Sequence, residues 1–89
     1  MTNLQKYWFK FKKLNKPTPL NLGCGVTACD RDDAIYLIRT HIFSKIEMAV
    51  IVEVDEDVQV SDLEKYHVLP NIGNIDVRGI WFPQGYGEL

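Results

Sequence analysis

Cysteine is scarce in this sequence, and long apolar runs are absent. The two cysteines, Cys24 and Cys29, are too few for a disulfide-rich scaffold. On an extended chain they would stand farther apart than a disulfide can span, so we expect free thiols. The longest apolar run covers residues 48–52, whereas a membrane-spanning helix needs about 20 apolar residues. We therefore expect neither a disulfide-stapled module nor a membrane protein.

An excess of positive charge is also missing, because the net charge is −2. This balance argues against a nucleic-acid partner, which would require a predominantly basic surface. The charge is unevenly placed: residues 1–16 hold five lysines and no acidic residue, and the remainder holds 5 basic and 12 acidic residues. Residues 1–16 also lack the apolar stretch of a secretory signal, which makes a cytoplasmic location the expectation.

What is present is the composition of one folded domain. The 89 residues are 46% hydrophobic, and five segments carry regular hydrophobic patterns. Alternation of apolar and polar residues predicts strands over residues 6–12, 20–28, 48–54 and 77–82. Asp30 is a suitable N-cap for an amphipathic helix over residues 31–43. The patterns place five residues in the core: Phe9, Val26, Leu37, Val50 and Val52.

The order of these segments predicts an α+β fold with the order β-β-α-β-β. We expect a four-stranded, mainly antiparallel sheet with the single helix packed on one face. The other face must then meet water, a partner or a ligand. A function that uses a surface is expected to use that helix-free face.

Three sequence blocks resemble a family of short, uncharacterised bacterial proteins that carry them in the same order. The blocks are KYWFKF at 6–11, GCGVTACDRDDA at 23–34, and HVLPNIG at 67–73 followed by RGIWFPQGY at 78–86. The resemblance spans nearly the whole chain. It implies a bacterial, single-domain protein without an assigned activity, and it carries over no catalytic residue.

The third block also concentrates residue types that dominate binding surfaces. Arginine, tryptophan and tyrosine are enriched at binding hot spots, and a loop histidine can either exchange protons near neutral pH or hold its loop through backbone contacts. On the first strand, one tryptophan shares a face with lysines, as on sheets that bind RNA or on solvated edge strands. The candidate binding residues are His67, Asn71, Arg78, Trp81, Tyr86 and Trp8.

Cys24, between two glycines, is the most unusual local feature. Its alternation with Val26 turns it inward, where a thiol behaves as a small apolar group, and this favours a structural cysteine over a nucleophile. A metal site is not expected, because the Cys24–Cys29 spacing does not fit common zinc motifs and His41 lies on the apolar stripe of the helix. No cofactor is predicted.

Two functions remain open from the sequence. The first is a non-enzymatic binding or protein-interaction module, with an accessory, regulatory or toxin-neutralising role, that holds a protein partner or forms a homodimer. The alternative is a small enzyme or ligand-binding protein that uses His67, Arg78 and Cys24. A polar cleft joining those three residues would favour the alternative, and an open apolar patch around Trp8 and Trp81 would favour the first.

Overall fold

Four strands and one α-helix follow each other in the predicted order. The computed structural model describes residues 3–15, 17–44 and 47–84. The elements are β1 (Gln5–Phe11), β2 (Cys24–Ala28), α1 (Arg31–His41), β3 (Ile51–Glu56) and β4 (Gly79–Phe82), with short 3-10 helices at Pro19–Asn21, Val60–Asp62 and Leu69–Asn71. The strands form one sheet in the order β3-β1-β2-β4, and all neighbours are antiparallel. The predicted α+β fold is therefore confirmed.

Helix α1 begins where the sequence predicts it. The Asp30 carboxylate accepts a hydrogen bond of 2.8 Å from the backbone N–H of Asp33, which satisfies one of the free donors of the first turn. The helix buries Ala34, Leu37 and Ile38 against one face of the sheet. Phe9 and Val26 lie in the same core and are inaccessible to solvent, as predicted together with Leu37. The buried face of the helix was thus correctly predicted at these positions.

Strand β3 departs from the prediction. Val50 and Val52, placed in the core by alternation, are 62% and 61% exposed. A bulge explains the error: Lys10 pairs with Glu53 but Phe11 pairs with Ile51, so Val52 is an extra residue without a partner on β1. Past the bulge the alternation changes phase, and Ile51 joins Val54 in packing against the core. The two valines that a strict period of two would bury are therefore on the surface.

The helix-free face of the sheet is covered by the chain itself, which contradicts the expectation of an open face. Residues 58–75, called the covering segment below, lie across it between β3 and β4. The Thr27 hydroxyl donates a hydrogen bond of 2.6 Å to the carbonyl oxygen of Ile75 in this segment. The second core centres on Trp8, Val68, Trp81 and Phe82, and five further apolar residues pack against it: Val58, Val60, Leu63, Ile72 and Ile75.

The glycines on either side of Cys24 make room for two indole rings. A Cβ atom at Gly23 would lie 2.5 Å from the Trp8 ring, and one at Gly25 would lie 2.3 Å from the Trp81 ring. Gly23 also has a φ of +137°, a backbone conformation that residues with a side chain rarely adopt. Strand β2 starts after this turn, not at residue 20, because Thr18 caps a 3-10 helix that Pro19 initiates.

Candidate functional site

His67 lies on the surface of the covering segment, where it takes part in a local turn. Its ring nitrogen Nδ1 is 2.7 Å from Oε2 of Glu64, and its backbone N–H donates to the same carboxylate. Asn71 donates a hydrogen bond of 2.8 Å from Nδ2 to the carbonyl oxygen of His67. The pKa of Glu64 is lowered, first by the hydrogen bond from the backbone N–H of Tyr66 and then by those from His67. The contacts of His67 and Asn71 therefore fix the turn.

Arg78 connects the start of β4 to the N-terminus of α1. Its guanidinium donates to both carboxylate oxygens of Asp33, with a distance of 2.9 Å from Nε to Oδ2. Asp33 also accepts a hydrogen bond of 3.0 Å from the backbone N–H of Cys29, the residue before the N-cap Asp30. The hydrogen bonds from Arg78 hold the pKa of Asp33 well below its usual value. The guanidinium of Arg78 is thus engaged within the fold.

The two tryptophans, both candidate binding residues, are buried, so the described residues form no open apolar patch around them, the observation that would have favoured the interaction module. Trp8 is 4% exposed and Trp81 is 1% exposed. Their ring centroids are 6.0 Å apart, and Trp8 lies 5.6 Å from Phe82, distances typical of packed aromatic pairs. The physical reason is the covering segment, whose apolar side chains shield both rings from solvent. Tyr86, the remaining aromatic candidate, lies outside the described residues.

The three residues of the enzyme alternative do not converge. Cys24 is inaccessible in the core beneath α1, and burial raises the pKa of its thiol far above the usual value. His67 stands on the opposite side of the sheet, in the exposed turn, and Arg78 is paired with Asp33. The pKa of the Cys29 thiol is also raised, first by desolvation and then by Asp33. Across residues 3–15, 17–44 and 47–84, no group of three or more histidine, cysteine, aspartate or glutamate residues could hold a metal ion.

A small cleft borders the covering segment next to the end of β4. It has a volume of about 350 Å³ and is lined by Pro19, Asn71, Phe82, Pro83 and Gln84. Its two amide nitrogens are already used, since Asn71 donates to His67 and Gln84 donates to the carbonyl oxygen of Ile72. None of its five lining side chains is ionisable, so the cleft offers neither an acid nor a nucleophile.

The two edges of the sheet differ in how they are protected. At β4, the carbonyl oxygen of Trp81 accepts a hydrogen bond of 2.7 Å from the backbone N–H of Gly73 in the covering segment. At β3, the described part of the chain supplies backbone partners only from the β1 side. The outer side of β3, with Val50 and Val52 exposed beside it, is called the β3 edge below.

Sequence reasoning missed the β3 edge because alternation assigned both valines to the core. The signal that could have found it is the acidic run from Glu53 to Asp57, which is out of place on a central strand. Charged side chains are a common feature of edge strands, where they discourage indiscriminate pairing.

Comparison with protein-family models, with curated proteins and with solved structures gave no match. The resemblance to a family of short bacterial proteins therefore stays a prediction. Within the described residues, no helix is long and apolar enough to cross a membrane.

Proposed function

We propose that this domain is a protein-interaction module that binds an extended segment of a partner protein along the β3 edge. The observation that carries the proposal is the asymmetry of the sheet. Both faces are covered, one by α1 and one by the covering segment, and β4 bonds to Gly73. The β3 edge alone combines unengaged backbone groups with two exposed valines in the described part of the chain.

Addition of a strand at this edge has a well-understood physical basis. Backbone N–H and C=O groups of the partner segment pair with those of β3 and supply affinity, whereas alternate side chains supply specificity. Val50 and Val52 would lose their exposure to water beneath the partner's apolar side chains. Burial of two valine surfaces contributes about 1–3 kcal/mol to binding after incomplete coverage is allowed for.

The module is further proposed to act in the cytoplasm of a bacterium, in an accessory or regulatory role. The support for this location is the state of the thiols, since Cys24 and Cys29 are both free in the described structure. Free cysteines are the usual form in a reducing compartment.

Selection of peptides from a random display library, with the full chain as bait, tests the proposed function. Each selected peptide is titrated against the wild type, the double variant Val50→Thr/Val52→Thr, and the control Val77→Thr. Val77 is also an exposed valine, but it lies just before β4 at the opposite side of the sheet. Threonine keeps the branched shape and the strand propensity while it removes apolar surface.

We expect the double variant to bind about tenfold more weakly and the control to bind as the wild type does. Amide hydrogen exchange over residues 50–56 should slow when the peptide is bound, because the new strand protects the outer N–H groups. Selection of no peptide, or equal binding by the double variant and the wild type, would reject the β3 edge as the functional surface.

A further inference from the structure

The β3 edge is strongly acidic along most of its length. Residues 50–57 contain four carboxylates, Glu53, Asp55, Glu56 and Asp57, and no cationic side chain. All four acidic residues are exposed. The apolar part of the edge, Val50 and Val52, lies at one end, and the acidic part lies at the other.

Two of the four carboxylates are neutralised within the domain and two are not. Lys10 pairs with Glu53 at 3.5 Å, and Arg31 pairs with Glu56. Asp55 stands opposite Trp8 in the sheet, so its partner on β1 brings no charge. Among the described residues, neither Asp55 nor Asp57 forms an ion pair. An uncompensated negative potential therefore remains at the end of β3.

A second copy of this domain is the simplest occupant of the β3 edge, but the charge pattern opposes pairing of two β3 strands. An antiparallel pairing of two copies of β3 centred on Glu53 would set this residue against itself. In any register, the acidic residues of one copy would meet only acidic or apolar residues of the other, since the strand carries no base. Like charges that face each other across strands are destabilising.

We propose that the segment bound at the β3 edge is basic at one end and apolar at the other. Its lysine or arginine side chains lie near Asp55 and Asp57, and its apolar side chains lie against Val50 and Val52. This inference rests on the proposed function and adds to it the chemistry of the partner. Complementary charge both accelerates association and selects against acidic partners.

The test uses three synthetic peptides of the same length as β3, each with blocked termini. The first has lysine in one half and valine in the other, the second has glutamate in place of the lysine, and the third is the lysine peptide with N-methyl groups on alternate residues. N-methylation removes the backbone donors that strand addition needs. Binding to the full chain is measured by isothermal titration at low and at moderate ionic strength.

The lysine peptide is expected to bind at least about tenfold more tightly than the glutamate peptide, with affinity falling as salt is added. The N-methyl peptide should lose this affinity. The double variant Asp55→Asn/Asp57→Asn should weaken binding of the lysine peptide about fivefold, as two exposed charge contacts are lost. Asparagine is a compatible replacement at position 57, because Asp57 has a φ of +54° and asparagine tolerates that conformation.

Asp76→Asn is the matched control, since it removes the same charge from an exposed aspartate near the opposite edge of the sheet. Equal binding of the lysine and glutamate peptides would overturn the proposal that the bound segment is basic. Equal effects of the control and the double variant would overturn it as well. The proposed function would still stand if Val50→Thr/Val52→Thr weakened binding of the selected library peptides. Formation of a dimer that this valine variant abolishes would identify a second copy as the occupant and reject the inference.

Discussion

Gly25 has no side chain at the place where the Trp81 ring lies. An added Cβ atom would stand 2.3 Å from ring carbon atoms of Trp81, a separation at which one of the two must move. Trp81 is almost fully buried between β2 and the covering segment, so its ring has no free space to move into. Close packing of this kind makes small increases in volume costly.

Gly25→Ala is therefore expected to destabilise the domain by about 2–3 kcal/mol. Gly73→Ala is the control, because a Cβ atom there would meet its nearest neighbour at an ordinary contact distance of 3.7 Å. Its effect should stay within about 0.5 kcal/mol. Urea denaturation followed by tryptophan fluorescence measures both. Equal denaturation midpoints for the two variants would show that the Trp81 ring can move to make room for a Cβ atom at residue 25.

The burial of single residues could be predicted from the sequence only in part. The inward position of Cys24 and the burial of Phe9 follow directly from strand alternation. The burial of Trp8 does not, because its neighbours Lys6 and Lys10 suggested a solvated face. Alternation predicts which residues share a face of the sheet, but it does not predict what covers that face.

At the scale of elements, the ion pair between Arg78 and Asp33 joins β4 to α1 across a long stretch of chain. The folded-state pKa of Asp33 lies below its unfolded value, chiefly because Arg78 donates hydrogen bonds to the carboxylate. A carboxylate with a lowered pKa stabilises the fold above the unfolded pKa of about 4, and this contribution is lost as the pH falls through the folded-state value.

Arg78→Gln should thus lower the free energy of unfolding by about 1 kcal/mol near neutral pH, a figure reduced for the partial exposure of the arginine. The difference from the wild type should shrink as the pH falls below about 4, where Asp33 in the unfolded chain becomes protonated. Arg39→Gln serves as the control, because Arg39 forms no ion pair with any described residue. Urea midpoints across this pH range test the prediction, and a difference independent of pH would contradict it.

The strands and the helix could be predicted because each carries a regular hydrophobic period. The β3 edge could not, since one extra residue at Val52 reverses the phase of the alternation. A bulge is a property of the pairing between β1 and β3, and the sequence of neither strand alone predicts it. The candidate site was missed for this reason, although the strand that carries it was correctly predicted.

At the scale of the whole molecule, the unforeseen feature is the covering segment. Its apolar residues follow no regular period, so nothing in residues 58–75 predicts that they form half of a second core. One helix cannot shield both faces of a four-stranded sheet, and the sequence therefore suggested an exposed face. Irregular chain performs the role that a second helix performs in many layered domains. The surface proposed for function is consequently an edge.

The acidic β3 edge also leads to a prediction about the state of association. We expect the wild type to sediment as a monomer at micromolar concentrations, because every register of two paired β3 strands lacks a base. An antiparallel pairing centred on Asp55, for example, would set this residue against itself and Glu53 against Asp57. The double variant Asp55→Asn/Asp57→Asn should shift toward a dimer, whereas Asp76→Asn should remain monomeric. Added salt should favour association of the wild type only weakly, since the Debye length at 0.1 M salt is about 10 Å and the facing carboxylates would be closer than that. A wild-type dimer at low salt would show that backbone pairing and the exposed valines outweigh the repulsion of these carboxylates.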